Sequence, residues 1–343
     1  MCATKTQMRR EIEEIPAAVE RLIAKGSPGI AKAAARARAL DPRFAVTVAR
    51  GSSDHIATYL KYASELLLGL PVASVGPSVA SIYGARLKLA GSLCLSVSQS
   101  GKSPDIVAMA NAARRDGALT LALTNVPDSP LAEASEEVID ICAGPELSVA
   151  ATKTFVTSAV AGLLLFAEWT EEKELSKSIR RLPEDLEKAV SIDWSPMQEA
   201  VRGQQSLFTL GRGPAWAMSN EAALKFKETC QIHAESYSSA EVLHGPVSIV
   251  GEGFPVLCLA SRDASKDAVV AVADALADKG AAAFVTSEAP QVAHVLPCAR
   301  TAHPLTDPLA LITSFYVLVD NVAADRGIDP DTPRHLKKVT ETI

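Results

Sequence analysis

The strongest constraint on the fold of this chain is a pattern that occurs twice. Residues 45–51 (Ala-Val-Thr-Val-Ala-Arg-Gly) are echoed by residues 207–213 (Leu-Phe-Thr-Leu-Gly-Arg-Gly), and a helical pattern follows each. A second pair of similar segments surrounds Cys94 and Cys258. The glycines Gly51 and Gly213 are 162 positions apart and the cysteines are 164 apart. Two matches at nearly one offset indicate an internal duplication.

Short apolar runs alternate with helical patterns in the first copy. Strands are predicted at 44–49, 71–75, 93–98, 119–124 and 137–141, and helices at about 54–68, 106–116 and 153–169. Strands that alternate with helices of about 10 to 15 residues favour parallel crossovers. The predicted fold is therefore α/β, with two doubly wound, three-layer α/β/α domains that have parallel sheets and are related by duplication.

The flanking segments set the predicted domain limits. An amphipathic helix is predicted over 8–25, with a break near Pro16, and a second helix over about 29–40. Residues 170–190 carry interspersed charges of both signs, which is typical of a solvated helix. The predicted organisation is N-terminal helices in 1–40, a first domain in 41–170, a helical connector in 171–195, a second domain in 196–330 and a C-terminal tail in 331–343.

Composition excludes several classes of function. A hydrophobic content of 48% and a charged content of 22% are those of a globular protein, and a net charge of −6 argues against nucleic-acid or membrane-surface binding. We find no signal peptide and no apolar run of about 18 residues. The six cysteines are widely spaced, which favours free buried thiols and a cytoplasmic location. The dispersed histidines and cysteines lack metal-ligand spacing, so no metal site is expected.

A hydroxyl-rich loop follows the predicted strand at 93–98. Its donors are Ser98, Gln99, Ser100 and Ser103. Gly101 would let the backbone approach a ligand, and Ser103 and Pro104 are suited to the N-cap and first position of a helix. Because a helix N-terminus favours anions, we interpret the loop as a pocket for a dianionic phosphate, built mostly from neutral donors. The alternative is a plain polar turn.

The corresponding loop of the second copy differs. Residues 261–265 (Ser-Arg-Asp-Ala-Ser) contain no glycine, and Asp263 would repel a phosphate. The sequence therefore predicts one phosphate site per chain, in the first half.

Three charged residues are candidates for chemistry in the second half. Glu221, Lys225 and Glu228 are spaced i, i+4, i+7 and would lie on one stripe of a helix. Two carboxylates that flank an ammonium could hold a base and its charge partner over a sugar. A surface ion-pair ladder is the commoner arrangement, although Ala222 and Ala223 make the surroundings apolar.

Further candidates lie in loops and at the two ends of the chain. His244 lies in a Gly-Pro turn, and imidazole suits proton transfer to a sugar ring oxygen, although a lone histidine is more often structural. Thr152, before the long helix, could line a cavity or act as an N-cap. The basic C-terminal segment would be functional only if it folds back over the site. Cys2 is expected to be inert, because helices follow it directly.

Together these residues resemble a known family. They are similar to the isomerase part of glucosamine-6-phosphate synthases, a tandem of two sugar isomerase (SIS) domains, and to stand-alone SIS-type glucosamine-6-phosphate deaminases. The likeness covers nearly the whole chain. Its motifs are Gly51-Ser-Ser, Ser98-Gln-Ser-Gly-Lys-Ser-Pro-Asp105, Ala151-Thr-Lys, Gly211-Arg-Gly, Glu221-Ala-Ala-Leu-Lys-Phe-Lys-Glu228, His233-Ala-Glu235, Glu241-Val-Leu-His-Gly-Pro246 and Asp331-Thr-Pro-Arg334.

The resemblance implies roles for the matched residues. The phosphate-binding and substrate-binding set would be Ser52, Ser53, Ser98, Gln99, Ser100, Gly101, Ser103, Ala151 and Thr152. Glu228 would move a proton between carbons 1 and 2, with Lys225 and Glu221 beside it. His244 of a neighbouring subunit would help to open the sugar ring, and Lys338 would reach the sugar carbonyl. A homodimer with shared active sites is therefore expected.

Departures from the synthase pattern indicate a direction for the reaction. We expect the chain to lack the glutaminase domain of the synthases; in addition, Ala151 replaces the usual serine and Lys102 replaces the usual glutamate. These changes are similar to those of stand-alone relatives that deaminate. The expected reaction converts glucosamine 6-phosphate and water to fructose 6-phosphate and ammonia through an enediol or enolamine, without a cofactor.

Other functions stay open at this point. The same scaffold could cleave a phosphorylated sugar–amino-acid adduct as a deglycase, aminate with free ammonia or simply isomerise a phosphosugar. A different class of function is a regulator that binds a sugar phosphate without catalysis. The full stripe of Glu221, Lys225 and Glu228 together with His244 favours an enzyme.

Overall fold

The apolar runs of the first half form the strands of one sheet. The structure, a computed structural model, describes residues 5–338. The strands are β1 Ala45–Val48, β2 Val72–Ser74, β3 Leu93–Val97, β4 Leu119–Thr124 and β5 Glu137–Asp140. They pair in parallel in the order β2-β1-β3-β4-β5, as the alternation of strands and helices predicts.

The second half forms a second parallel sheet. Its strands are β6 Ser206–Gly211, β7 His233–Ser238, β8 Pro255–Cys258, β9 Ala282–Val285 and β10 His294–Val295. Their order is β10-β9-β8-β6-β7. Counted from the first strand of each sheet, both sheets have the order 2-1-3-4-5, which is a doubly wound topology. The predicted α/β fold is confirmed, and the shared topology agrees with a duplication.

Helices connect the strands. Within the described residues they are α1 Gln7–Glu13, α2 Ile15–Leu40, α3 Ser52–Leu67, α4 Ser78–Ser81, α5 Pro104–Arg115, α6 Pro130–Ala134, α7 Lys153–Thr170, α8 Lys173–Val190, α9 Ser195–Val201, α10 Pro214–Cys230, α11 Lys266–Ala277 and α12 Asp307–Asp325. Two short 3₁₀ helices, Glu241–His244 and Pro246–Ile249, follow β7.

Each sheet belongs to a separate compact unit, and the units take segments from both halves of the chain. The first-sheet unit comprises Ala17–Glu146, Lys153–Arg180 and the tail residues Lys337 and Lys338. The second-sheet unit comprises residues 5–16, 147–152 and 181–336. The continuous domains expected from the sequence stay a prediction.

The core of the first-sheet unit lies against its central strands. Every residue of β1, β3 and β4 is buried, as expected when helices cover both faces of a parallel sheet. Val46 and Cys94 pack in one cluster with Ile106 and Met109 of α5. Burying an aliphatic side chain of this size stabilises a fold by about 1.5–3 kcal/mol. These contacts fix the end of β3 and the start of α5, where the hydroxyl-rich loop lies.

The prediction of two separate N-terminal helices around residue 27 is wrong. Helix α2 runs without interruption from Ile15 to Leu40 and contains Pro28, and the break before it is at Glu14. Pro16 is the second residue of α2, where a missing N–H costs little. Leu22 and Ile30, on either side of Pro28, are fully buried. Their packing outweighs the cost of about 3 kcal/mol of an internal proline.

Helix α12 is the most apolar long helix of the second-sheet unit. Its length, and the mean hydropathy of 1.2 over its most apolar 18 residues, would allow it to span a membrane. However, 89% of that 18-residue stretch is buried inside the fold. It packs against α1, α9 and α10, so it is a core helix.

The chain ends carry two predictions that the structure does not reach. Cys2 and residues 339–343 of the predicted tail lie outside the described residues. The five cysteines within the described residues are free; Cys94, Cys230 and Cys258 are buried as expected, whereas Cys142 and Cys298 are half-buried.

Candidate active site

The hydroxyl-rich loop joins β3 to α5. Ser103 is the N-cap of α5 and Pro104 is its first residue, as predicted. The Ser98 hydroxyl accepts a hydrogen bond from the Gly101 N–H at 3.2 Å, which closes the loop on itself. The Ser103 hydroxyl makes no capping bond to the first turn of α5. This hydroxyl and the helix N-terminus are therefore available to an anion.

Gly101 is required for packing, and its expected role in letting a ligand approach the backbone stays a prediction. Its φ is +63°, a conformation that favours glycine, and a Cβ there would lie 2.0 Å from Ser129 Oγ. Ser129 is the N-cap of α6. The neighbour that excludes a side chain at position 101 is thus α6.

A cavity of about 320 Å³ lies where β1 and β3 end. It is lined by Arg50, Gly51, Ser53, Val97, Ser98, Gln99, Ser100, Ser103, Ile106 and Lys338, and we call it the serine cavity. The strand order of the sheet reverses between β1 and β3, and open α/β sheets bind ligands at this point. Five predicted phosphate-binding residues and Lys338 therefore line one cavity. Ser52 opens α3 directly before Ser53, and Gly101 is buried within the loop.

Arg50 gives the serine cavity a positive charge that the sequence analysis did not anticipate. Its Nε and Nη2 lie 3.0 and 2.9 Å from Asp105 Oδ2. Asp105 is fully buried, and its other oxygen accepts from the Ile106 N–H at 2.8 Å. This pair holds the half-exposed guanidinium at the cavity wall, where it can bind a phosphate oxygen.

Lys338, the last described residue, lines the serine cavity. Lys338 Nζ donates to Glu146 Oε2 at 2.8 Å. The buried Glu146 also accepts from the N–H and hydroxyl of Thr154, in the first turn of α7, at 3.0 and 2.6 Å. Glu146 therefore fixes the position of Lys338 relative to α7.

In the second-sheet unit, α10 carries the predicted charged stripe. Lys225 Nζ lies 2.6 Å from Glu228 Oε2 and 3.2 Å from Glu221 Oε1. The side chains of Glu221 and Lys225 are 0% and 1% exposed, whereas Glu228 is 21% exposed. A solvated surface ladder is therefore excluded. Glu228 is the member of the row that a substrate can reach.

Burial and charge act in opposite directions on Lys225. Burial alone would lower its pKa, but the carboxylates of Glu221 and Glu228 outweigh burial, so the pKa of Lys225 is raised above its ordinary value. Tyr316 of α12 donates to Glu221 Oε1 at 3.3 Å. Lys225 is thus a charged partner at neutral pH rather than a base.

His244 ends the first 3₁₀ helix and is exposed on the second-sheet unit. The next residue, Gly245, has a φ of +139°, which turns the chain into the second 3₁₀ helix. Leu243 and Ile249 beside it are also exposed. The expected role of His244 at a neighbouring subunit stays a prediction.

A buried carboxylate holds the segment that carries Ala151 and Thr152. Glu11 of α1 is 1% exposed. It accepts hydrogen bonds from the N–H groups of Leu147 and Ser148 and from the Ser148 hydroxyl. This contact fixes the backbone that leads to the two predicted substrate residues. Sequence analysis did not identify Glu11, because its partners lie 136 and 137 positions away.

The second copy repeats the backbone of the first but not its chemistry. Gly213 (φ 57°, ψ −136°) has nearly the conformation of Gly51 (φ 55°, ψ −133°), and each is the N-cap of the following helix. Asp263 accepts from the N–H and hydroxyl of Ser265 at 2.8 and 2.6 Å. The loop after β8 therefore presents a carboxylate, and it stays a prediction that this loop does not repeat the phosphate site of the first copy.

Metal chemistry has no evident ligand set in residues 5–338. No group of three or more His, Cys, Asp and Glu side chains there is arranged to hold a metal ion.

Comparisons with known proteins agree on one family. The SIS domain model matches residues 41–168 and 201–294. The glutamine–fructose-6-phosphate aminotransferase (isomerizing) of Symbiobacterium thermophilum is 32% identical over 324 residues, which cover 89% of this chain and 52% of that protein. The chain thus spans about half the length of the curated relatives it matches.

Solved structures give the same result. A provisionally named phosphosugar isomerase from Silicibacter pomeroyi DSS-3 superposes with a TM-score of 0.93 at 63% identity, covering 95% of this chain and 100% of that one. The C-terminal domain of the glucosamine-fructose-6-phosphate aminotransferase from Francisella tularensis superposes with a TM-score of 0.85 at 25% identity, covering 96% and 99%. With a doubly wound sheet in each unit and a family model that matches both, the chain belongs to the SIS domain family.

Proposed function

We propose that this chain is a phosphosugar isomerase that deaminates an amino-sugar phosphate, converting glucosamine 6-phosphate and water to fructose 6-phosphate and ammonia. The observation that carries the proposal is the serine cavity at the β1/β3 switch point, with hydroxyl, amide and guanidinium donors around it. The 63% identity to a provisionally named phosphosugar isomerase supports this substrate class.

The serine cavity suits a phosphoryl group. Its volume of about 320 Å³ lies at the lower end of the range of about 300–1,000 Å³ for small-molecule sites. Ser103 at the N-terminus of α5 and the guanidinium of Arg50 supply donors to a dianion. Binding the phosphate there would hold the sugar by its unreactive end, which is how binding energy is used to orient a reacting centre.

Glu228 is proposed to transfer the proton. Isomerisation needs a base that removes the proton at carbon 2 and returns it at carbon 1. Glu228 is accessible and hydrogen-bonded to Lys225, whose raised pKa keeps it charged. That charge would stabilise the negative intermediate. The resulting imine at carbon 2 would hydrolyse to the ketose and ammonia.

Two further roles rest on the resemblance to the family. His244 would open the sugar ring, contributed by the neighbouring subunit of a homodimer. Lys338, which lines the serine cavity, would reach the sugar carbonyl. Ala151 and Lys102, which depart from the synthase pattern, support deamination over synthesis.

A substrate panel tests the proposal. The purified chain is assayed with glucosamine 6-phosphate, fructose 6-phosphate and a phosphorylated sugar–amino-acid adduct, and the release of ammonia, hexose phosphate and amino acid is measured. Ammonia and fructose 6-phosphate in equal amounts from glucosamine 6-phosphate support it. Release of an amino acid from the adduct alone would reassign the chain as a deglycase, and no turnover with any substrate would contradict catalysis.

Variants of two serines separate phosphate binding from overall damage. Ser103→Ala should raise KM for glucosamine 6-phosphate about tenfold, because a hydrogen bond to a charged group contributes about 1.5–3 kcal/mol. Ser191→Ala removes an exposed hydroxyl bonded only to the Glu187 carbonyl among the described residues, and it should leave KM unchanged.

A further inference from the structure

A second cavity lies in the second-sheet unit. Its volume is about 630 Å³, and its charged lining consists of Arg202, Asp325, Arg326, Asp329 and Arg334. We call it the arginine cavity. It is roughly twice as large as the serine cavity.

The arginine cavity lies at the edge of the second sheet where the strands begin. Gly203, just before β6, and Gln231, just before β7, both line it. In doubly wound folds the reaction site lies at the opposite edge, where the strands end. The arginine cavity is therefore separate from the switch point of its own sheet.

The acidic groups of the cavity are already used by neighbouring donors. Asp325 accepts from Gln198 at 2.7 Å and from Arg202 at 3.3 Å. The hydrogen bond from Gln198, followed by that from Arg202, lowers the pKa of Asp325. Asp329 accepts from the Asp331 N–H and from the Thr332 hydroxyl, each at 3.0 Å. These carboxylates therefore do not need a cation from outside.

The guanidinium groups of Arg326 and Arg334 have N–H donors that make no hydrogen bond to the described residues. Arg326 Nη1 donates to the Gln204 carbonyl at 3.0 Å, but Arg326 Nε is buried and has no hydrogen-bond partner among the described residues. Because Arg326 Nε has almost no accessible surface, a ligand in the cavity would contact the terminal nitrogens of this guanidinium rather than Nε. Arg334 is exposed at the cavity wall.

The motif Asp331-Thr-Pro-Arg334 positions Arg334. Both oxygens of Asp331 accept from the first turn of α1, from the Gln7 and Met8 N–H groups at 2.6 and 2.8 Å. This cap anchors the chain three residues before Arg334. Asp331 of the motif thus has a structural role, whereas the side chain of Arg334 makes no hydrogen bond or ion pair with the described residues.

We propose that the arginine cavity binds an organic phosphate at a site additional to the serine cavity. Its phosphoryl group would accept hydrogen bonds from the guanidinium groups of Arg326 and Arg334, which both line the cavity, since planar guanidinium groups bind phosphate oxygens in pairs. A volume of about 630 Å³ lies well within the range for small-molecule ligands and has room for more than a phosphate. The site goes beyond the proposed catalytic function.

Calorimetric titration with inorganic pyrophosphate tests the proposal on the full chain. Wild-type protein should bind two pyrophosphates per chain, and Ser98→Ala/Ser103→Ala should keep one of them. Adding Arg334→Ala to this double variant should raise the Kd for the remaining pyrophosphate at least about tenfold. This is the loss expected for one charge-assisted hydrogen bond. Arg334 is exposed, so this variant does not threaten the fold. Arg326→Ala provides a second variant of the same site.

Arg181→Ala is the matched control, because it removes an equal charge from an exposed position of the same unit that does not line the cavity. It should bind as wild type does. Binding by Arg334→Ala and Arg326→Ala that equals wild-type binding would overturn the proposal. If wild-type protein binds one pyrophosphate and Ser98→Ala/Ser103→Ala does not change that binding, the serine cavity does not bind phosphate. This result would count against the proposed function but not against the arginine cavity as a phosphate site.

Discussion

Replacement of Lys225 by methionine measures how much the ion pairs of Lys225 with Glu221 and Glu228 on α10 contribute to the free energy of unfolding. In the wild type, Lys225 is 1% exposed and lies between Glu221, fully buried, and Glu228. Lys225→Met keeps the volume of the side chain but leaves the Glu221 carboxylate without a cation. Removing one partner of a buried ion pair costs about 3–5 kcal/mol.

Protonation limits this loss and makes it depend on pH. A carboxyl with the reference pKa of about 4.3 takes up a proton at a cost of about 3.7 kcal/mol at pH 7 and about 1 kcal/mol at pH 5. The raised pKa of Lys225 gives stability that is fully present below the unfolded pKa of lysine, so the wild-type contribution is constant over this range. We therefore expect a loss of about 3–4 kcal/mol at pH 7 that shrinks toward about 1 kcal/mol at pH 5.

Urea unfolding followed by tryptophan fluorescence measures the loss. Trp194 and Trp216 belong to the second-sheet unit and Trp169 to the first-sheet unit, so the variants are made in a Trp169→Phe background, whose fluorescence reports on the unit that contains the substitution. Adding Glu221→Gln to Lys225→Met should restore much of the stability, because no buried charge then stays unpaired. Lys279→Met, at an exposed position of the same unit, is the control and should cost less than about 0.5 kcal/mol. A loss below about 1 kcal/mol at pH 7, or a double variant less stable than the single, would refute the reasoning.

Three further substitutions test the surroundings of the site. Gly101→Ala should lower the free energy of unfolding, measured by urea titration, by about 2–4 kcal/mol, because its Cβ would collide with Ser129. Adding Ser129→Gly should restore part of that stability, and no recovery would show that the collision is not the cause. Glu11→Gln should cost about 1.5–3 kcal/mol in the same assay, since the buried carboxylate holds the 147–148 backbone; unchanged stability would contradict that role. Asp105→Asn should raise KM for the sugar phosphate about tenfold with little change in kcat, because it removes the carboxylate that positions Arg50. An unchanged KM in steady-state kinetics would show that Asp105 is not required to position Arg50.

All five strands of the first sheet were predicted from the sequence, including β2 and β5 at its edges, whereas the edge strands of the second sheet were not. β1, β3 and β4 are buried on both faces and therefore appear as apolar runs. β7 (His-Ala-Glu-Ser-Tyr-Ser) and β10 lie at the edges of the second sheet and are polar or exposed. Their strand conformation comes from pairing with β6 and β9 rather than from their own pattern.

The candidate site divides in the same way. The serine loop lies within one short stretch, and the charge row has helical spacing, so both were visible in the sequence. The supporting contacts join residues far apart: 55 positions for Arg50 and Asp105, 95 for Glu221 and Tyr316 and 192 for Glu146 and Lys338. No local pattern encodes such pairs, because the packing of whole elements brings them together.

Solvent-deuterium incorporation tests the central claim most directly. Glucosamine 6-phosphate is incubated with the protein in D₂O, and deuterium at carbon 1 of the fructose 6-phosphate formed is measured by NMR. Wild-type protein should introduce deuterium there, and Glu228→Gln should introduce none while binding the sugar phosphate with unchanged affinity. Deuterium incorporation by Glu228→Gln at the wild-type rate would show that another group transfers the proton, and the account would fail.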